Sequence, residues 1–464
     1  MDFAATERDT LAFWEKIDAF QKQLKISEGR KEYLFYDGPP FATGLPHYGH
    51  LLAGTIKDVV TRYWSMCGYH VSRRFGWDCH GLPVEYEVET KFGLKKPTDT
   101  EGGVTIKEYN EKCRSVVMQY SQQWKEIIKR FGRWIDFDND YKTLNASFME
   151  SVWWAFKQLY QKGLVYQGVK VMPYSTACTT PLSNFEANQN YKNVPETAIT
   201  VGFKLLDDQF ENQKEGIDEK LPTLILAWTT TPWTLPSNLA LCVHLEYDYI
   251  KFKNKNGTAY WIVVKERVPA VVDAKEVDAV LNNVIATIKG SDLVGRRYEP
   301  LFKYFKNLEQ MPRRHTVVSG DYVKRDSGTG IVHCAPFFGE DDYSVCISGG
   351  VMTGKEGPIA CPVDDNGCFT REVDDYAGRY VKDCDKDIIK SLKDRKVLIK
   401  TEQITHSYPF CWRSDTPLIY KAVPSWFVNV ERIKSEDLQP YIKIDCSEEY
   451  QANKLEKRKE KQAE

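Results

Sequence analysis

Asp37-Gly38-Pro39-Pro40-Phe41-Ala42-Thr43-Gly44-Leu45-Pro46-His47-Tyr48-Gly49-His50 is the stretch on which the fold turns. Before it, Tyr33-Leu34-Phe35-Tyr36 reads as a short buried strand, closed by the turn-forming Asp37-Gly38-Pro39-Pro40. After it, Leu51, Leu52, Ile56, Val59, Val60 and Tyr63 fall on one helical stripe, so a helix is expected to open near His47 to His50. A second loop-bounded segment, Val71 to Val84, carries Phe75-Gly76-Trp77-Asp78-Cys79-His80-Gly81. Strand, loop, helix and strand in that order open a parallel α/β sheet, whose ligands sit beyond the carboxyl ends of the strands.

Working outward, Leu11, Trp14, Ile17 and Phe20 predict a helix from Asp2 to about Lys25. Two long helices are expected over Ile106 to Phe131 and Phe148 to Gln161, the second with Gly163 as its C-terminal cap. Beyond Val169 short β-branched runs take over: Ala198 to Phe203, Thr223 to Trp228, Leu241 to Val243, Ala259 to Val264 and Gly330 to His333. The expected organisation is therefore an α/β part over 1–175, an inserted β-rich module over 176–405, a return segment over 406–434 and a charged tail over 435–464.

Composition narrows the class. Of 464 residues, 42% are hydrophobic and 28% charged, so the chain can bury a sizeable core. Lys plus Arg number 63 against 65 acidic residues, a net charge of −2 that predicts no nucleic-acid or membrane affinity from bulk charge. No apolar run approaches the ~20 residues of a membrane helix, and the first ten residues lack a signal-peptide core. The 12 cysteines are scattered with no C-x-x-C pair, as expected of reduced thiols in a cytoplasmic protein.

Two places carry chemistry. At the first, a helix N-terminus with its unpaired N–H groups and positive dipole end would meet His47 and His50. Gly49 between them lets a bulky ligand approach the backbone. Such a device suits a transferring phosphoryl or nucleotidyl group, although two histidines at this spacing also serve purely structural ends. At the second, Trp228-Thr229-Thr230-Thr231-Pro232-Trp233-Thr234-Leu235-Pro236-Ser237-Asn238 crowds hydroxyl and amide groups between rigid prolines, fit for a polar ligand and a water, or for a plain threonine ladder. About 100 residues later, Gly328-Thr329-Gly330-Ile331-Val332-His333 and Glu340-Asp341-Asp342 offer a proton carrier and an anchor for a cation; the acids could equally be a metal site or a solvated turn.

The run Asp37 to His50 followed by Gly76 to Glu85 resembles the opening of class I aminoacyl-tRNA synthetases, with His47-Tyr48-Gly49-His50 at the position of their H-I-G-H signature. Gly-Trp-Asp-Cys-His-Gly-Leu-Pro at 76–83 is similar to the isoleucine branch, eukaryotic cytosolic type, and the resemblance runs over roughly residues 10–430. It implies the first half of a Rossmann-like parallel sheet with a large β-rich editing domain inserted. It also implies ATP, with Mg2+, as substrate held by His47, Gly49 and His50. Pro46 would wall the isoleucine side-chain pocket and Asp78 would pair with its α-ammonium. The implied activity is ATP-dependent activation of isoleucine and charging of tRNA(Ile), with hydrolytic editing of valyl-tRNA(Ile). In the editing domain, Asp342 would hold the α-ammonium of the misattached amino acid. Thr230, Thr231, Thr234 and Asn238 would line the pocket, and His333 would exclude isoleucine by bulk. The physical need is plain, because one methylene discriminates by only about 1–3 kcal/mol; isoleucine against valine in this enzyme family is the standard illustration.

The resemblance has gaps. Bacterial members often carry zinc on C-x-x-C pairs where Ser175 and Cys178, and Cys411 and Ser414, stand here, so no structural zinc is expected. No K-M-S-K-S-like string occurs, and the second catalytic half and anticodon reader are absent from the sequence. The expectation is that this chain alone does not charge tRNA. It is then a ligase portion, truncated or completed by a second chain, a stand-alone aminoacyl-tRNA deacylase, or a non-catalytic subunit of a larger assembly.

Overall fold

A computed structural model describes residues 2–94, 104–208, 210, 221–305, 308, 311–355 and 361–434. The chain divides into two compact units, Met1–Gly163 and Leu164–Glu464.

In the first unit the expected N-terminal helix is two, α1 (Phe3–Ile17) and α2 (Ala19–Ser27). They are broken at Asp18, whose φ of 49° is a left-handed conformation that aspartate tolerates. There follow α3 (Tyr48–Met66), β1 (Arg74–Trp77), α4 (Leu82–Phe92), α5 (Ile106–Arg130), β2 (Asp136–Lys142) and α6 (Ala146–Gln161). Thr105 starts α5 with a reciprocal cap to Glu108, and Gly163 stops the turn after α6 at φ +67°. Strands β1 and β2 pair in parallel, and Phe75, Trp77, Val117, Trp124 and Ile128 form the core beside them.

One expectation fails here. Tyr33 to Tyr36 is not a strand, and Leu34 and Tyr36 are exposed. Among the described residues this stretch touches a parallel neighbour only at isolated bridges, Glu32 with His70 and, further on, Phe41 with Asp78. An apolar run becomes a strand only where a continuous ladder satisfies its backbone groups. The helix over 48–66 does form, but it buries Gly54 and Thr61, while Leu52, Ile56, Val59 and Tyr63 face outward.

The second unit is β-rich. β3 (Val165–Ser175) lies between β14 (Ile419–Val428) and β4 (Thr180–Pro181) in a three-stranded sheet. A nine-stranded sheet is built from β5 (Tyr191–Lys204), β6 (Thr223–Thr229), β7 (Ala240–Val243), β8 (Asp248–Lys253), β9 (Tyr260–Val264), β10 (Ala286–Lys289), β11 (Thr316–Ser319), β12 (Val332–Cys334) and β13 (Leu398–Pro409). β6 is its hub, antiparallel to β5 and parallel to β9 and β12. That position explains its nearly continuous burial, since a strand with neighbours on both edges and both faces must be apolar throughout. β5 and β13 form a long antiparallel ribbon from Tyr191–Pro409 to Val201–Leu398. Helices Glu340–Ser348 and Asp385–Asp394 complete the unit.

The expected boundary at 175 coincides with the end of β3, whereas the unit begins ahead of that strand because β3 pairs with β14 along its whole length, from Val165–Val428 to Tyr174–Ile419. The expected tail, 435–464, lies outside the described residues.

Candidate functional site

In the first unit, His47 is the N-cap of α3. Its Nδ1 accepts the Gly49 N–H at 3.1 Å, and the His47 N–H donates to His50 Nδ1 at 3.2 Å. The two rings stack with centroids 3.7 Å apart, and His50 meets the edge of Trp124 at 4.9 Å. Gly49 is required by this stack, since a Cβ there would sit 2.9 Å from His47 Cε1. Because each Nδ1 is an acceptor, each neutral ring carries its proton on Nε2, which is thereby a donor for an anion. Burial, then His47 and Lys57, lowers the His50 pKa.

His50 borders a cavity of about 250 Å³ together with Pro40, Gly54, Gly76 and Trp124. Lys57 and Arg133, which the sequence reading missed, close on Asp37 at its edge. Pro46, His47, Gly49 and Asp78 lie outside that lining. Asp78 is partly buried, and burial raises its carboxyl pKa, with His80 pulling the other way.

The second unit holds a cavity of about 400 Å³ lined by Thr230, Thr231, Thr234, Tyr322, His333 and Asp342, among others. Glycines shape its rim: Gly330 stands at φ +74°, where a Cβ would strike Val264 at 2.3 Å, just before β12 delivers His333. A tight turn of 3-10 helix, Pro232–Ser237, follows β6 and presents Thr234. Thr234 Oγ1 lies 3.0 Å from His333 Nε2 and 3.2 Å from Thr231 Oγ1.

The direction of each bond in this network is fixed. Asn238 Nδ2 donates to the Ala240 carbonyl at 2.9 Å, while its Oδ1 accepts the Tyr298 hydroxyl at 2.7 Å. The same Nδ2, 2.8 Å from His333 Nδ1, can only donate, so Nδ1 is an acceptor and the ring proton is on Nε2, pointing at Thr234. Thr234 in turn donates to the Thr231 carbonyl at 2.9 Å. Burial drives the His333 pKa down to about 3. A neutral imidazole with both nitrogens engaged presents its bulk to the cavity. Asn238 does not line the cavity; it stands behind His333 and orients it.

Asp342 lines this cavity from the first turn of its helix, whereas Asp341 is exposed and outside the lining. Its Oδ2 accepts the Ala335 N–H at 2.9 Å and its Oδ1 the Tyr322 hydroxyl at 3.1 Å. Burial raises its pKa to about 6 against the pull of those two bonds. Tyr322, which the sequence reading missed, lines the cavity beside Asp342 and stands only six residues before the Gly328-Thr329-Gly330 motif.

The two broken cysteine pairs converge. Cys178 and Cys411 Sγ atoms are 4.0 Å apart, and the Cys178 N–H donates to Ser175 Oγ at 3.2 Å. Two thiols with serines at the other two positions make a weaker donor set than the four nitrogen or sulfur ligands of structural zinc. Among the described residues, no three His, Cys, Asp or Glu side chains gather as a metal ion would require, and no helix is long and apolar enough to cross a membrane.

Comparison with known proteins matches this arrangement to one family. Residues 9–461 fit the family described as tRNA synthetases class I (I, L, M and V). The chain is 53% identical over 462 residues to the isoleucine–tRNA ligase, cytoplasmic, of Arabidopsis thaliana, covering 94% of this chain and 38% of that protein. It is 55% identical over 431 residues to the Mus musculus protein of the same name, covering 93% of this chain and 33% of the relative. For the Saccharomyces cerevisiae counterpart the identity is 50%, covering 95% of this chain and 40% of the relative. The chain thus spans between a third and two fifths of the length of these curated relatives. It belongs to the class I tRNA synthetases of the isoleucine, leucine, methionine and valine group.

Proposed function

We propose that the chain is a portion of a cytoplasmic isoleucine–tRNA ligase, bearing a self-contained pocket that hydrolyses valyl-tRNA(Ile) and the first half of the site that activates isoleucine with ATP. One observation carries the reading. A neutral His333, locked between Asn238 and Thr234, narrows a cavity in which the Asp342 carboxylate is the charged anchor. Asp342 takes the α-ammonium of the amino acid, and that cation stabilises a carboxylate which burial alone disfavours. Thr230, Thr231 and Thr234 give hydroxyls that place a water against the ester carbonyl. The water adds, the ester C–O bond breaks, the ribose oxygen leaves with the proton, and valine and tRNA depart. His333 leaves too little room for the extra methylene of isoleucine, which supplies a second selection where one pocket is too weak.

For activation, the Nε2–H donors of His47 and His50 at the N-terminus of α3 would meet the ATP phosphates, Pro46 the isoleucine side chain and Asp78 its ammonium. Mg2+ keeps mostly phosphate and water ligands, so it would travel with ATP. The remainder of the activation site would come from further sequence like that of the longer relatives, or from a second chain, and tRNA(Ile) is the partner of both reactions.

The test is deacylation of valyl-tRNA(Ile) beside isoleucyl-tRNA(Ile). The expected result is release of valine alone, abolished by Asp342→Ala. A folded chain that hydrolyses neither ester, or both equally, would overturn the reading.

A further inference from the structure

Asp385 takes no part in the pocket's lining, yet it reaches the element that builds it. It is the first residue of the helix Asp385–Asp394, and its Oδ1 accepts the Trp233 N–H at 2.9 Å across 152 residues of sequence. Within the turn Pro232–Ser237, the Thr234 N–H bonds the Thr231 carbonyl, whereas the Trp233 N–H is left over by the turn's own pattern. Every residue of that turn is buried, so water cannot serve instead, and the carboxylate is the acceptor. Two pocket walls hang on the turn. Thr234 holds His333, and the Trp233 ring meets Phe338, which lines the cavity, edge to face at 5.0 Å.

We infer that Asp385 is a positioning residue for the hydrolytic pocket: by holding the Trp233 backbone it fixes the turn that presents Thr234 and His333, and so sets how sharply valine is told from isoleucine. This rests on the editing reading above. Burial pushes the Asp385 pKa up to about 7, with the Trp233 bond and Lys382 opposing and Glu196 and Asp383 adding to the rise. A carboxylate in such a place is unfavourable unless a donor answers it, and the donor here is the turn.

The experiment compares the full chain with Asp385→Ala and Asp385→Asn. Deacylation kcat and KM are measured for both esters, and hydrogen exchange is followed by mass spectrometry over residues 229–238. In Asp385→Ala the valyl kcat should fall roughly tenfold to a hundredfold, the size of a lost hydrogen bond to a charged group, and the valine-to-isoleucine ratio should fall with it. Exchange should quicken over 229–238 and nowhere else. Asp385→Asn keeps an Oδ1 acceptor and should restore both ratio and protection. Unchanged ratio and exchange in Asp385→Ala would overturn the inference, as would an equal loss for both esters with exchange raised throughout the unit. If the alanine variant does not fold, Asp385→Ser takes its place. If the unmodified chain cleaves neither ester, the editing reading has failed, and the exchange data alone decide whether Asp385 holds the turn.

Discussion

Asn238 determines what His333 can do. An amide nitrogen has no lone pair to accept with, so its approach to Nδ1 consigns the imidazole to one tautomer and, with burial, to the neutral state. On the proposed editing function, the titrating group that matters for hydrolysis is then Asp342. Because its pKa stands near 6, acidification below that value neutralises the anchor for the ammonium. The acid limb of kcat/KM for valyl-tRNA(Ile) should therefore fall near pH 6, about tenfold per unit below it. In kcat the limb should lie lower, since bound ammonium favours the carboxylate. A limb near 6.5 that vanishes in His333→Gln would instead assign the proton to histidine. Thr230, Thr231, Thr234, His333 and Asp342 were legible in the sequence because each sits in a dense local motif. Asn238 was named too, but its place behind the histidine rather than in the lining was not legible, nor was Tyr322 beside the aspartate, since these come from pairings 95 and 20 residues apart that only the fold creates.

Among elements, those with a complete internal pattern were readable. α5 carries its own cap in Thr105 and Glu108, α6 ends at a glycine, and β6, β7, β9 and β12 follow their β-branched runs. The stretch Tyr33 to Tyr36 shows the opposite case, where apolar content without a ladder partner gives no strand. In α3 the periodicity marks an apolar stripe, but Leu52, Ile56, Val59 and Tyr63 on it are exposed while Gly54 and Thr61 are buried. The short strand β12 depends on Gly330, which combines a left-handed backbone with contact against Val264. Gly330→Ala should destabilise the second unit by about 1–3 kcal/mol through strain and overpacking. A lower urea midpoint measured on the full chain would show it, whereas an unchanged midpoint would mean that β9 and β12 can separate freely.

At the scale of the whole chain, buried acids and buried histidines oppose each other. Asp342 and Asp385 have pKa values raised to about 6 and 7, so the folded state takes up their protons first. His333 and His315 are lowered to about 3 and 4, so there the unfolded state takes up protons first. Between about pH 7 and 5 the two uptakes offset, and these four groups should leave stability level, with loss setting in below about pH 4. Replacing both acids, Asp342→Asn with Asp385→Asn, removes one side of that balance. Stability should then decline below pH 6.5 by up to about 2.7 kcal/mol per pH unit, read from urea midpoints across pH 5 to 7. The presence of two parts was legible as a change of texture along the chain. The location of their division at Gly163 was not, because it follows from β14 returning to β3 from far along the sequence. That return has a genetic consequence. Val165 and Val428 face each other in register, so everything between them hangs on two points of the chain that stand side by side. A stretch whose two ends meet can be lifted out, closed with a short link or transplanted into another host without re-threading either piece.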